Sequence, residues 1–196
     1  MLKSENKTVR RGRPSSRQKV LEAAAEIAAE VGTARLTLDA VAERAGVSKG
    51  GLLYNFPTKE ELLRGMVDQF LEQTAELEQK ARESLEPGPN LALRAALKAR
   101  LYAPAVDRKA AASMLAAIAE NPRLLDPCRT VQQCQLADFA EESDDPDMAH
   151  ILWLAVEGLM LLDMMGMEPF DSAKRQAIAE RILALAGDRK ADGQKK

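Results

Sequence analysis

The chain has 196 residues and is 46% hydrophobic, which is enough material for a small and a larger helical domain, each with a buried core. One histidine and two cysteines give no grouping of His, Cys and carboxylates at metal-ligand spacing, so the sequence predicts no enzyme, no metal site and no cofactor. The net charge of −2 hides an asymmetry, because residues 1–64 carry +4 and residues 65–196 carry −6.

Residues 1–16 are expected to form a basic, flexible arm. Within it, Arg10-Arg11-Gly12-Arg13-Pro14 is similar to the core of an AT-hook, whose arginines enter the narrow minor groove of A·T-rich DNA. An ordinary basic arm that touches phosphates without sequence preference explains the same residues equally well. Both interpretations make Arg10, Arg11 and Arg13 candidate DNA contacts with salt-dependent affinity.

Residues 17–64 have the pattern of a small three-helix domain. A first helix is expected over residues 17–31, and two short helices follow over residues 38–45 and 49–55, joined at Gly46. Two helices joined by a short turn that contains glycine are typical of a helix-turn-helix motif. Such a motif lays its second helix in the major groove of DNA.

Local signals place the ends of these helices. Thr37 and Ser48 are expected to cap the two short helices, and Thr58 with Glu61 is expected to form a capping box on a fourth helix. Gly46 is expected to take the left-handed conformation that ends a helix.

The two adjacent glycines of the second short helix, Gly50 and Gly51, need an explanation. Each costs about 1 kcal/mol relative to alanine inside a helix. One explanation is that residues without side chains let the backbone of this helix approach DNA closely.

A set of residues around the predicted turn points to a known family. The residues that carry the pattern are Val47, Ser48, Lys49, Gly50, Leu52, Phe56, Pro57, Thr58 and Lys59. In this pattern the chain resembles the DNA-binding domain of the TetR family of bacterial transcriptional regulators. Where many members have a phosphate-binding tyrosine, this chain has Leu53, and its aromatic hydroxyl comes one residue later at Tyr54. One residue is about 100° around a helix, so whether Tyr54 makes that contact stays open.

The resemblance implies that different residues contact the bases and the phosphates of the DNA. We expect base contacts from Lys49, Gly50, Gly51 and Leu52. We expect phosphate contacts from Thr37, Ser48, Tyr54, Asn55 and Lys59, together with the arginine arm. The partner is therefore a double-stranded DNA operator.

Residues 65–187 are expected to form a helical effector-binding and dimerisation domain, followed by a disordered tail over residues 188–196. Prolines divide the region into segments of helical length. The predicted helices cover about residues 59–85, 90–102, 105–120, 124–142, 146–166 and 171–186.

The segment 151–167 is the most apolar in the chain, yet it is too short and too charged for a membrane span. A helix that is apolar nearly all round needs two packing partners, so we expect one face in the core and the other against a second subunit. A central helix in a monomer is the alternative. The predicted dimer contacts are Ile151, Leu154, Ala155, Gly158, Leu162, Ile178, Ile182 and Leu185.

Of the features predicted from the sequence, the effector pocket is the least well defined. Residues that could line a cavity for a small apolar effector are Tyr102, Met114, Ile118, Phe139, Trp153, Met160 and Met164. The same residues could equally be core. Glu157 or Asp163 would favour a cationic effector if either faced inward.

The sequence therefore predicts an all-α, two-domain, cytoplasmic homodimer that acts as a transcriptional regulator. The N-terminal domain would read a near-palindromic operator as a repressor, and a small effector bound to the C-terminal domain would release it. The alternative is a helical binding protein that sequesters a lipid or a partner protein and recognises no specific DNA.

Overall fold

The computed structural model describes residues 15–102, 117–118 and 121–187, and these residues contain α-helices and 3-10 turns but no strand. The helices are α1 Ser16–Val31, α2 Leu38–Ala45, α3 Lys49–Asn55, α4 Lys59–Glu83, α5 Leu91–Leu101, α6 Asp126–Glu142, α7 Pro146–Met164 and α8 Ser172–Gly187. Two 3-10 turns lie at Thr33–Arg35 and Pro122–Leu125. The predicted all-α fold class is confirmed.

The predicted helix bounds agree with the observed ones to within about three residues wherever the structure describes them. The predicted helix over residues 105–120 is described only at its helical residues 117–118. Residues 1–14 of the predicted arm and the predicted tail over 188–196 lie outside the described residues.

The predicted helix caps are present in the N-terminal domain. The hydroxyls of Thr37, Ser48 and Thr58 each accept a hydrogen bond from the backbone three residues on, at 3.1–3.2 Å. The carboxylate of Glu61 accepts in return from the backbone N–H of Thr58, which completes the capping box. Gly46 has φ 64°, the left-handed conformation expected of a helix-ending glycine.

One core joins α1, α2, α3 and the start of α4. Its buried side chains include Val20, Leu21, Ile27, Leu36, Val41, Leu52, Phe56 and Leu62. Arg44 also holds α2 against α1, because its guanidinium donates two hydrogen bonds of 2.9 Å to the carboxylate of Glu30 in α1. These hydrogen bonds hold the pKa of Glu30 below its usual value, so their contribution to stability is lost as the pH falls through that lowered pKa.

A second core lies between α5, α6, α7 and α8. It is built from Leu93, Leu97, Phe139, Leu152, Trp153, Val156, Ile182 and Ala186. The rings of Phe139 and Trp153 meet at its centre, with 5.3 Å between their centroids. Ile182, one of the predicted dimer contacts, is 93% buried in this core, so its side chain packs mainly within its own subunit.

The 25-residue helix α4 belongs to both halves of the molecule. Leu62, near its start, is buried in the N-terminal core, whereas Ala81, near its end, packs against Ala95 and Ala99 of α5. Between them, Leu63 packs with Leu124 of the second 3-10 turn. One continuous rod therefore connects the helix-turn-helix to the C-terminal domain.

The outer face of α7 is apolar and uncovered in the single chain. Ile151, Leu154, Leu161 and Met165 are exposed large side chains, and they follow one another at helical spacing. Ala155 and Gly158 lie on the same face and are also exposed. In the part of the chain that the structure describes, none of the helices has both the length and the hydropathy that crossing a bilayer requires.

Candidate nucleic-acid interface

Helix α3 lies on the surface of the N-terminal domain with one side in the core and the other facing solvent. Leu52 is fully buried, and Leu53 packs half-buried against the same core. Ser48, Lys49 and Gly50 at its start are exposed, and Tyr54 is 89% exposed. The helix is therefore anchored by its leucines and presents a polar face outward.

The burial of Leu52 makes one predicted contact wrong. A side chain with no exposed surface cannot touch a base edge, so Leu52 anchors the helix rather than reading DNA. The sequence contained a signal for this assignment, because Leu52 and Phe56 are four residues apart and both belong to the same core.

Lys49 makes an ion pair at the start of α3. Its ammonium group lies 2.7 Å from a carboxylate oxygen of Asp39 in the first turn of α2. Both side chains are mostly exposed, at 64% and 71%. The sequence pattern does not predict this ion pair, because Asp39 lies ten residues earlier and on another helix.

Four of the predicted phosphate contacts, Thr37, Ser48, Asn55 and Lys59, have hydrogen-bond partners within the protein. The side-chain amide of Asn55 donates to the backbone carbonyl of Gly51 at 2.9 Å, and the ammonium group of Lys59 donates to the carbonyl of Ala34 at 3.3 Å. The hydroxyls of Thr37 and Ser48 cap α2 and α3. Arg10, Arg11 and Arg13, predicted to contact DNA, lie outside the described residues.

The space around the two α3 glycines supports the explanation of close backbone approach for Gly50 but not for Gly51. Apart from its own helix backbone, a Cβ on Gly50 would meet no atom of the described residues within 4 Å, whereas a Cβ on Gly51 would lie 3.2 Å from the capping oxygen of Ser48. Packing inside the protein therefore gives no reason for glycine at residue 50.

Two family models match the chain. Residues 20–66 match the model described as bacterial regulatory proteins of the tetR family. Residues 90–187 match the model described as the tetracyclin repressor-like C-terminal domain, so the two matches together cover most of the chain.

The chain belongs to the TetR family.

It is therefore a DNA-binding transcriptional regulator, and its α2 and α3 form the helix-turn-helix of that family. None of the curated proteins matches this TetR-family regulator.

Solved structures share its fold at low sequence identity. A TetR-like transcriptional regulator from Rhodococcus sp. RHA1 is 22% identical, covers 89% of this chain and 96% of its own, and has a TM-score of 0.63. The multidrug binding protein EbrR, solved with imidazole, is 22% identical, covers 93% and 97%, and has a TM-score of 0.60. EbrR has also been solved with ethidium. At these identities the likeness concerns the fold.

The predicted effector-pocket residues of this TetR-family regulator do not gather around one described cavity. Phe139 and Trp153 are core, Tyr102 is exposed, and Ile118 packs beside Leu63. Met160 and Met164 are half-buried, and Met114 lies outside the described residues. A cavity of about 230 Å³ lies elsewhere, where α4 meets the second 3-10 turn; its lining is Thr33, Lys59, Glu60, Leu63, Ala117, Asn121 and Leu124.

Two acidic residues of α7, Glu157 and Asp163, both meet arginines. Glu157 accepts a hydrogen bond of 2.5 Å from Arg100 of α5. Asp163 lies 3.9 Å from Arg175 of α8. Neither pairing was predicted, because each arginine belongs to another helix.

Proposed function

We propose that this regulator is a repressor that binds a near-palindromic operator as a homodimer in the cytoplasm and is released by a small effector. The observation that carries the proposal is the orientation of α3. Buried Leu52 and half-buried Leu53 hold the helix, which leaves Lys49, Gly50 and Tyr54 on the exposed side. A short helix held in this way fits the major groove.

The outer face of α7 supports the homodimer. Its exposed Ile151, Leu154, Ala155 and Gly158 form an apolar stripe, and a Cβ on Gly158 would meet no side chain of the described part of the chain within 4 Å. Small residues in such a stripe permit close helix contact across a two-fold axis. Leu162, Ile178 and Leu185 are half-buried and complete the proposed interface at its edges. Two copies would then present two α3 helices to half-sites about 34–36 Å apart.

Ligand release is proposed from the kind of C-terminal domain that the chain carries. EbrR, which shares the fold, has been solved with imidazole and with ethidium. In this chain α4 runs from the helix-turn-helix into the C-terminal domain, so a ligand that favoured one position of α4 would change the geometry of both copies of α3.

A mobility-shift assay with genomic fragments at several salt concentrations tests the regulator proposal. We expect a sequence-selective band that persists in excess competitor DNA, and footprinting should show a near-palindrome. Uniform weak binding to all fragments would contradict operator recognition and favour a helical protein that sequesters a lipid or a partner. Native mass spectrometry of the purified protein would identify a retained effector.

A further inference from the structure

Tyr54 is the most exposed large apolar side chain in the part of the chain that the structure describes. It belongs to α3, and 89% of its surface is open to solvent. Among the described residues its side chain has no hydrogen bond, ion pair or ring contact. Covering an aromatic ring of about 150–250 Å² gains free energy. Because α3 is the helix that meets DNA, the DNA is the surface that covers this ring.

The neighbours of Tyr54 on α3 are held by contacts within the protein. Leu53 packs half-buried against the N-terminal core. The side-chain amide of Asn55 donates to the backbone carbonyl of Gly51, and the ammonium group of Lys49 lies beside Asp39 of α2. Tyr54 is therefore the large side chain of α3 that is left without such a contact.

An open space lies next to Tyr54 on the same face of α3. Gly50 precedes Tyr54 by four residues, which is about one helical turn, and it is exposed. No side chain of the described residues lies within 4 Å of the place that a Cβ on Gly50 would take. Aromatic side chains of helices are directed toward the N-terminal end, which here is the Gly50 side. We call this space the Gly50–Tyr54 notch, with the backbone of Gly50 as its floor and the Tyr54 ring as its wall.

The chemistry of the Gly50–Tyr54 notch suits a base edge better than a phosphate. Neither residue carries a charge, whereas phosphate oxygens are bound by cations and by hydrogen-bond donors. The edge that thymine presents in the major groove carries a C5-methyl group, which apolar side chains contact. A backbone floor without a side chain and an aromatic wall leave room for such a methyl group.

We propose that Tyr54 reads a base, and that the Gly50–Tyr54 notch holds the 5-methyl group of one thymine in each half-site of the operator. This inference rests on the proposed operator recognition and names the chemical group that α3 selects. It replaces the phosphate contact expected of Tyr54 from the sequence. Phosphate contacts fix the position of a protein on DNA, whereas a methyl contact distinguishes thymine from cytosine.

Replacing thymine by deoxyuridine in the operator tests the proposal, because deoxyuridine pairs in the same way and lacks only the methyl group. Each thymine of one half-site, identified by footprinting, is replaced in turn, and the full-length protein is titrated by mobility shift. At one position we expect affinity to fall about fourfold, the effect of exposing one buried methyl group. Equal affinity for thymine and deoxyuridine at every position would overturn the proposal.

Variants of Tyr54 assign the methyl effect to its ring. Tyr54→Ala should bind the thymine and deoxyuridine operators equally, because the wall of the notch is gone. Tyr54→Phe should keep the roughly fourfold ratio, because it removes only the hydroxyl that a phosphate contact needs. Loss of the ratio in Tyr54→Phe, or an unchanged ratio in Tyr54→Ala, would overturn the proposal.

Tyr102→Ala is the matched control, because Tyr102 is the other tyrosine of the chain and lies half-exposed at the end of α5. Its affinity and its thymine preference should equal those of the unmodified protein. Circular dichroism checks the helicity of each variant. If Tyr54→Ala loses helicity, Tyr54→Gln takes its place, since glutamine is a good helix former and has no ring.

The same titrations separate this inference from the proposed regulator function. Selective operator binding without a methyl effect would overturn the assignment of Tyr54 and leave operator recognition standing. Absence of any selective band would overturn operator recognition itself, and the assignment of Tyr54 would fall with it. Selective binding with a methyl effect that depends on the Tyr54 ring supports both.

Discussion

At the residue scale, we propose that Lys49 is a contact through which α3 meets DNA. In the free protein its ammonium group is paired with Asp39 at 2.7 Å on an exposed surface. Exposed ion pairs contribute little to stability, about 0.2–1 kcal/mol, and salt screens them. DNA can therefore replace Asp39 as the partner of Lys49 at small cost, and the two residues should have opposite effects on binding.

Lys49→Ala should weaken operator binding by about 1–3 kcal/mol, the usual cost of removing a side chain that reads a base. Titration by mobility shift measures the change, and circular dichroism and sedimentation should show unaltered helicity and assembly. Lys80→Ala, an exposed lysine near the end of α4, is the control. Equal affinity of Lys49→Ala and the unmodified protein would remove Lys49 from the interface.

Asp39→Asn should strengthen operator binding up to about fivefold, because it frees Lys49 and removes a negative charge that faces DNA. The same titration at low and high salt measures the gain, which should shrink at high salt. Glu43→Gln, an exposed carboxylate on the same helix, serves as the comparison. Weaker binding of Asp39→Asn would mean that Asp39 positions Lys49 rather than competes for it.

At the element scale, α3 is less stable than it could be, because it has a glycine at residue 50 where a larger side chain would fit. Gly50 lies in a helical backbone, and no side chain among residues 15–102, 117–118 and 121–187 comes within 4 Å of the position a Cβ would take. Gly65 of α4 differs, because a Cβ there would lie 2.6 Å from a ring carbon of Phe56 and 3.3 Å from Leu21. One glycine is required by packing inside the protein and the other is not.

Gly50→Ala should raise the free energy of unfolding by about 0.5–1 kcal/mol, the difference in helix propensity, while weakening operator binding. Gly65→Ala should lower the free energy of unfolding by about 1–3 kcal/mol through overpacking. Urea unfolding and DNA titration of both variants test the pair. Gly50→Ala that is more stable and binds DNA unchanged would refute close backbone approach at Gly50.

At the scale of the whole molecule, two features bear on assembly and DNA binding: the apolar outer face of α7 and the uneven distribution of net charge along the chain. The outer face of α7 is apolar, with Leu154 at 63% exposure near the middle of the stripe. The net charge differs in sign between the two parts of the chain, with +4 over residues 1–64 and −6 over residues 65–196. A dimer formed through α7 would hold two N-terminal domains and their basic arms, each copy with a net charge of +4 over residues 1–64, against one duplex.

Leu154→Asp should convert the protein to monomer, because two-fold symmetry places the buried charge in the interface twice, at a cost of about 3 kcal/mol or more. Analytical ultracentrifugation gives the assembly state. Ala137→Asp, on an exposed part of α6, is the control and should remain dimeric. A dimeric Leu154→Asp would show that another surface holds the subunits together.

Replacing Arg10, Arg11 and Arg13 together by alanine should lower the slope of log affinity against log salt by about 0.9 for each phosphate that the arm no longer neutralises. Operator titrations between low and physiological salt measure it. An AT-hook predicts in addition that preference for A·T-rich flanks disappears. An unchanged slope would exclude the arm from the DNA interface.

The sequence determined the elements of this protein because its local signals are strong. Thr37, Ser48 and Thr58 cap the helices as predicted, Gly46 ends α2, and the all-α class follows from apolar periodicity and proline spacing. The family was also readable, because its pattern around Gly46 is a short contiguous motif.

Only the tertiary structure decided which face of each helix is buried and which charges meet across helices. It placed Leu52 and most of the Ile182 side chain in the cores, since burial depends on the neighbours that α3 and α8 acquire on folding. It also brought Arg100 to Glu78 and Glu157, residues 22 and 57 positions away. Periodicity along one helix carries no information about such partners, because they come from other helices.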